Sequence, residues 1–128
     1  MPGMRVLDIG SGIGDVAMLA AEIVGPNGRV VGIDKDPTFL AHARRRAVEN
    51  GCAPWVTFEQ AEVDAFTTSD RFDALVGRYI LLYLPDPAAT LAHLLQSVKP
   101  GGIVVCHEVD LTDPHPSYPP CPLWDKGY

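Results

Sequence analysis

The chain has 128 residues, 47% of them hydrophobic and 20% charged, with a formal net charge of −6. This is the composition of one globular domain large enough to bury a real core. The acidic balance argues against nucleic acid or an anionic membrane as the main partner, because both need concentrated Lys and Arg.

Met1-Pro2-Gly3-Met4 runs straight into an apolar stretch, so no leader peptide is expected. No apolar run approaches the roughly 20 residues that span a bilayer. Arg5–Ile9 reads as the first strand, and Gly10-Ser11-Gly12-Ile13-Gly14 as a glycine-rich turn. Asp15–Val24 follows as a helix with Ala17, Ala20, Ala21 and Val24 on one face, ended by Gly25-Pro26-Asn27-Gly28. Arg29–Ile33 is the second strand, and its near-continuous apolar character predicts burial on both faces. Asp36 suits the cap of the next helix and Pro37 its first position; Asn50-Gly51 ends it. Arg44-Arg45-Arg46, the only basic run, reads as the solvated face of that helix.

Trp55–Phe58 and Phe72–Val76 are the third and fourth strands. Pro85-Asp86-Pro87 starts a helix that ends near Lys99-Pro100-Gly101-Gly102, and Ile103–His107 is the fifth strand. Strands alternating with helices predict an α/β fold with a mainly parallel sheet, built from βαβ units. From Asp113 to Tyr128 the prolines 114, 116, 119, 120 and 122 exclude a central strand or a long helix. The expected organisation is therefore one domain over residues 1–112 and a Pro-rich tail over 113–128. Cys52, Cys106 and Cys121 are odd in number and lack metal-ligand spacing, which fits reduced thiols and a cytoplasmic location.

The glycine-rich turn carries the functional signal. Glycines let the backbone approach a ligand and free amide N–H groups at a helix N-terminus. Twenty residues past Gly14 stands Asp34, at the end of the second strand, where a carboxylate can accept from both hydroxyls of a ribose. A dinucleotide fingerprint, G-x-G-x-x-G, would put its third glycine at the position of Asp15. Here Gly14 comes one residue early, which disfavours an NAD-dependent oxidoreductase.

Several motifs in order carry a family resemblance. Val-Leu-Asp-Ile-Gly-Ser-Gly-Ile-Gly (6–14), Val-Val-Gly-Ile-Asp-Lys-Asp-Pro (30–37), Phe-Asp-Ala-Leu-Val-Gly-Arg (72–78), Leu-Tyr-Leu-Pro-Asp-Pro (82–87) and Val-Lys-Pro-Gly-Gly (98–102) resemble the class I S-adenosylmethionine-dependent methyltransferases. The resemblance covers roughly residues 3 to 110. It implies a three-layer αβα Rossmann-like sandwich of strand order 3-2-1-4-5, with ligand bound where the connection reverses between strands 1 and 4. It also implies S-adenosyl-L-methionine as cofactor. The acidity of the chain and the lack of a nucleic-acid module point to a small-molecule methyl acceptor, with a protein acceptor as the alternative.

The same resemblance assigns a cofactor site to Asp8, Gly10, Ser11, Gly12 and Gly14 of the first motif, and to Asp34 and Lys35 of the second. Asp8 and Asp15 flank the loop with acid, which suits a cationic ligand, although Asp15 also favours the helix dipole. Asp34 is assigned to the ribose. Lys35 either covers the adenine edge with its stem or is simply exposed. Gln60 stands where an acid usually accepts from the adenine amino group, and the Ala61 or Glu62 backbone N–H is assigned to the ring. Gly77 and Arg78 are assigned to the methionine end, with a backbone carbonyl meeting the amino group. The cofactor carboxylate is assigned to the helix N-terminus. Tyr79 and Tyr83 either line the acceptor side or pack the following helix.

Methyl transfer needs alignment and desolvation, with a general base where the acceptor is an alcohol or phenol. His107, Glu108 and Asp110 are the candidates; no catalytic residue is singled out. His42 and His93 fall in helices and read as surface or packing residues. His107, Glu108, Asp110, Asp113 and His115 lack a recognised ligand spacing, so no metal is expected. Full members of the family have N-terminal helices before the first strand and a final hairpin after the fifth. Without them the fifth strand is left as a sheet edge that invites pairing. A fragment or truncated product is the expected explanation; the alternatives are that the Pro-rich tail covers the edge or that a second chain completes the sheet. A non-catalytic remnant or partner subunit is the competing reading.

Overall fold

A computed structural model describes residues 1–108. The predicted tail, Asp110, Asp113, His115 and Cys121 lie outside those residues. The described chain forms five strands: β1 (Arg5–Ile9), β2 (Arg29–Asp34), β3 (Val56–Gln60), β4 (Phe72–Arg78) and β5 (Val98–His107). Three α-helices connect them: α1 (Asp15–Val24), α2 (Pro37–Glu49) and α3 (Pro87–Leu94). The strands form one sheet of order β3-β2-β1-β4-β5, and every neighbouring pair is parallel. The chain therefore grows outward from β1 through β3, then returns to lay β4 on the opposite side of β1.

Side chains alternate across β1, so the strand feeds two cores. Val6 packs on one face with Ala17, Ala21 and Val24 of α1 and Leu40, Ala43 and Ala47 of α2. Leu7 and Ile9 pack on the other with Val31, Ile33, Leu75 and Leu94 of α3. These two cores make the three layers. Leu7, Ile9, Ile33 and Leu75 are fully buried, and burial of each such side chain contributes roughly 1.5–3 kcal/mol.

The local signals act as expected at α2. Asp36 Oδ1 accepts from the Thr38 N–H at 2.8 Å and the Phe39 N–H at 3.4 Å, with Pro37 in the first turn. Asp86 caps α3 in the same way, accepting from the Ala89 N–H at 3.1 Å.

One expectation is corrected. The helix before β5 stops at Leu94, and Lys99-Pro100-Gly101-Gly102 lies inside β5 as an irregularity. There Phe72 aligns with Val98 while Ala74 aligns with Ile103, and Gly101 takes φ +78°. A Cβ on Gly102 would come within 2.5 Å of Val98 Cγ1. Pro and Gly serve a bulge here rather than a helix end. The arginine run lies on the solvated side of α2, with Arg44 and Arg45 exposed and Arg46 half-buried, and it also makes specific contacts. Arg44 donates to the Phe58 carbonyl at 2.7 Å, and Arg46 donates to the Ile13 carbonyl and to Asp15 Oδ1, both at 2.8 Å. Two of the three arginines thus tie α2 to β3 and to the glycine turn.

Candidate functional site

The site lies at the C-terminal ends of β1, β2 and β4, where the strand order reverses. Two clefts adjoin there and share Gly10, Gly12, Phe39 and Tyr79 in their walls. The first, about 350 Å³, is bounded by Asp8 and Ser11, by Ile13, Asp15 and Val16 at the start of α1, and by Arg78. The second, about 540 Å³, is bounded by Asp34, Lys35 and Asp36, by Ala61 to Asp64 after β3, and by Ile80, Tyr83, Leu84 and Pro85.

The glycine turn is held from both sides. Gly10 and Gly12 take φ +65° and +55°, backbone that L side chains adopt only with strain. Ser11 N–H donates to the Ile33 carbonyl at 2.9 Å. Gly12 N–H donates to Asp34 Oδ2 at 2.9 Å, while Asp34 Oδ1 accepts from the Asp36 N–H at 2.9 Å. One carboxylate therefore joins the turn to the start of α2. Each of its oxygens has a second lone pair for a ligand hydroxyl.

Asp8 is the chemically unusual group. It is 1% exposed, and its Oδ2 has no hydrogen-bond partner. It shares a sheet face with Val6, beneath the start of α1. Burial pushes its carboxyl up to about 7; the Arg78 charge and the Ala17 backbone N–H pull it back down, and Asp34 adds to the rise. Ser11 Oγ, also buried on the first cleft, has no partner either. Buried polar atoms without partners are rare in native proteins, and two on one cleft fit a polar ligand that supplies the missing bonds.

At the rim of the first cleft, Asp15 pairs with Arg46 at 2.8 Å and with Arg78 at 3.3 Å. The Arg46 hydrogen bond holds its carboxyl below the usual range, helped by Arg78. Asp15 is thus more than a dipole acid. It links α2 to the end of β4, a contact that local sequence does not encode. Arg78 also lies with Cζ 5.6 Å from the centroid of the Tyr79 ring. Tyr79 is the one described non-glycine residue with positive φ, at 55°, a conformation that marks strain in a bulky residue. Its ring lies 5.3 Å from that of His107, and its N–H donates to the His107 carbonyl at 2.8 Å.

The predicted site residues divide. Asp8, Gly10, Ser11, Gly12 and Arg78 meet at the first cleft; Asp34, Lys35, Ala61 and Glu62 meet at the second. Gly14, Gln60 and Gly77 line neither. Gly14 is buried, with φ +91°, and a Cβ there would meet Ala43, Met18 and Phe58 at 3.2 Å. Its glycine serves the packing of α1 on α2 and β3. A Cβ on Gly77 would meet Ile80 and Ile9 at 2.9 Å, so Gly77 admits the loop after β4. Gln60 turns to the Lys35 carbonyl, donating at 3.3 Å. Ala61 N–H is engaged by the Asp34 carbonyl at 3.0 Å, so Ala61 lines the cleft without offering that donor.

Among the candidate bases, Glu108 Oε1 accepts from the Ile80 and Leu81 N–H groups at 3.1 and 3.0 Å. It supports the turn after β4, and its Oε2 is buried without a partner. His93 Nε2 lies 2.7 Å from the Phe66 carbonyl, a packing contact, and His42 is exposed. Phe39, Asp64 and the Leu84-Pro85 stretch line the clefts without having been expected; only the position of Phe39 at the start of a helix hinted at it.

A parallel doubly wound sheet with a glycine turn and an acid at successive strand ends defines a nucleoside-cofactor domain of the Rossmann-like class. Comparison with known proteins is more specific. The methyltransferase domain family model matches residues 1–122, and the chain belongs to that family. It is 32% identical over 116 residues to an arsenite methyltransferase of Halobacterium salinarum, covering 90% of this chain and 29% of that protein. It is 34% identical over 120 residues to a 2-phytyl-1,4-naphtoquinone methyltransferase of Synechococcus elongatus, covering 93% of this chain and 49% of that protein. It superposes with TM-score 0.71 and 32% identity on a Geobacter sulfurreducens SAM-dependent methyltransferase in complex with S-adenosyl-L-homocysteine, covering 81% of this chain and 41% of that one. The chain thus spans less than half the length of these relatives.

Proposed function

We propose that this chain binds S-adenosyl-L-methionine across the two clefts and serves methyl transfer to a small-molecule acceptor. The observation that carries the reading is the pairing of two unlike clefts around one glycine turn. One holds the unpartnered Asp8 Oδ2 and Ser11 Oγ, and the other the Asp34 carboxylate.

In this reading Asp34 takes the ribose hydroxyls and Gly10 and Gly12 give the backbone room to approach. Lys35, Ala61 and Glu62 border the base, and Glu62 replaces Gln60 as the acid beside the adenine. Asp8 and Ser11 take the amino-acid end, where a cationic amino group restores to Asp8 the partner it lacks. When bound, the cofactor supplies an electrophilic methyl group that an O, N or C nucleophile of the acceptor displaces in line. The protein's part is to fix that geometry and exclude water. Glu108 holds the turn that carries Tyr79, and Tyr79 stands where the two clefts meet.

The cofactor-binding unit is inferred to be residues 1–112, in the cytoplasm, with no nucleic acid as partner. The β5 edge supports self-association: Ile103, Val104 and Val105 are 52%, 40% and 52% exposed, and an open apolar strand pairs readily.

Calorimetric titration with S-adenosylmethionine, beside NAD and an Asp34→Ala variant, tests the reading. Micromolar binding of S-adenosylmethionine, lost in the variant and absent with NAD, is the expected result. No binding to a folded chain would overturn it and favour the non-catalytic or partner-subunit reading.

A further inference from the structure

The first cleft carries charges of both signs. Asp8 is a buried acid without a partner at Oδ2, and Arg78 is the cation in its wall among the described residues. An acid and a base on one small cleft suit an α-amino acid, which brings an ammonium and a carboxylate together. A helix N-terminus is the ordinary anion site, and here it is compromised. α1 carries Asp15 in its first turn, so a second carboxylate there would face a like charge. The Gly14 N–H is already engaged by the Ser11 carbonyl at 2.9 Å.

Arg78 is held in place by a chain of charges. Arg46 Nη1 meets Asp15 Oδ1 at 2.8 Å, and Asp15 Oδ2 meets Arg78 Nη2 at 3.3 Å. Arg46 is fixed in turn by the Ile13 carbonyl. A guanidinium has five N–H donors in a rigid fork. The Asp15 contact leaves donors for another carboxylate, and the Tyr79 ring supports the group from the side.

We propose that Arg78 binds the carboxylate of the cofactor's amino-acid end, and that Asp15 and Arg46 are positioning residues that hold its guanidinium at the cleft. This rests on the cofactor reading above and goes beyond it. Arg78 acts through its side chain, and the helix N-terminus gives up the carboxylate.

The test compares S-adenosylmethionine with its decarboxylated form by calorimetry on the full chain. The two ligands share nucleoside, sulfonium and amino group and differ only in the carboxylate. Wild type is expected to prefer the carboxylated ligand by about tenfold or more, as a charge-assisted pair requires. Arg78→Met is expected to weaken S-adenosylmethionine to the level of the decarboxylated compound and leave the latter unchanged. Arg78→Lys is expected to keep part of the preference. Asp15→Asn is expected to reduce it about threefold without altering the decarboxylated ligand, a pattern that general loss of structure does not give.

Equal weakening of both ligands by Arg78→Met, or no weakening, overturns the proposal while leaving the cofactor reading intact. Equal affinity of wild type for both does the same. Failure of wild type to bind either ligand overturns the cofactor reading itself, and this proposal with it.

Discussion

Asp8 makes the stability of the ligand-free protein fall as pH rises through neutrality. Its carboxyl is raised from 3.8 to about 7 by burial, which amounts to about 4 kcal/mol of disfavoured charge. The folded state therefore binds a proton that the unfolded chain has already released between those pH values. The contribution is fully present below about pH 4 and is lost as pH rises through about 7. Between pH 5 and pH 8 the expected loss is roughly 2–3 kcal/mol. With an m-value of about 1–3 kcal/mol/M, the urea midpoint falls by roughly 1–3 M. Asp15 and Asp73 are silent in this window. Asp15 is held low by Arg46, and Asp73 by the Arg5 backbone N–H and by Lys99, so their contributions are present above about pH 4 and lost only below it. Urea unfolding of wild type and Asp8→Asn at pH 5 and pH 8 reads the effect. The variant should lack the wild-type slope and be the more stable of the two at pH 8. Equal slopes in the two proteins would refute the argument that Asp8 is a buried, unpaired acid.

Two further outcomes concern the frame around the clefts. Gly14→Ala should cost about 1–3 kcal/mol in urea unfolding, since φ +91° strains an L residue and its Cβ would crowd Ala43, Met18 and Phe58; an unchanged midpoint would count against packing as the role of that glycine. Glu108→Ala should speed hydrogen exchange at the Ile80 and Leu81 amides, which lose the acceptor they share, whereas exchange confined to its wild-type rate would show that the turn stands without it.

Sequence signals were strong wherever local chemistry decides the outcome. β1 and α1 fall on the expected residues because a buried strand, a glycine turn and a helical face follow one another without ambiguity. Asp36 and Pro37 mark the start of α2 by capping alone. The β5 bulge was misread because Pro100-Gly101-Gly102 signals irregular backbone without saying whether a helix or a strand carries it. The candidate site was legible as a set of strand ends: Asp8 and Gly12 line the first cleft, Gly12 and Asp34 the second, and the Gly12 N–H donates to Asp34. Gln60 donates to the Lys35 carbonyl while Glu62, two residues on, lines the second cleft; the sequence names both residues and does not say which of them turns inward. The Arg46–Asp15–Arg78 chain joins residues 31 and 63 positions apart. No local pattern encodes such a partner, so the arginine run reads correctly as a solvated face while its contacts to β3 and the glycine turn stay hidden.

Asp34 has one consequence for how such a site can change. Its two oxygens hold Gly12 on one side and Asp36 on the other, so a single carboxylate braces the walls of both clefts. Neither cleft can be altered through this residue alone. If the clefts divide the cofactor as proposed, a substitution at Asp34 that shifts preference for the sugar also slackens the turn that faces the amino-acid end. Should occupation of one cleft stiffen this shared brace, it would lower the ordering cost of filling the other. Adenosine and methionine, offered as separate molecules, should then each raise the affinity for the other by one shared factor.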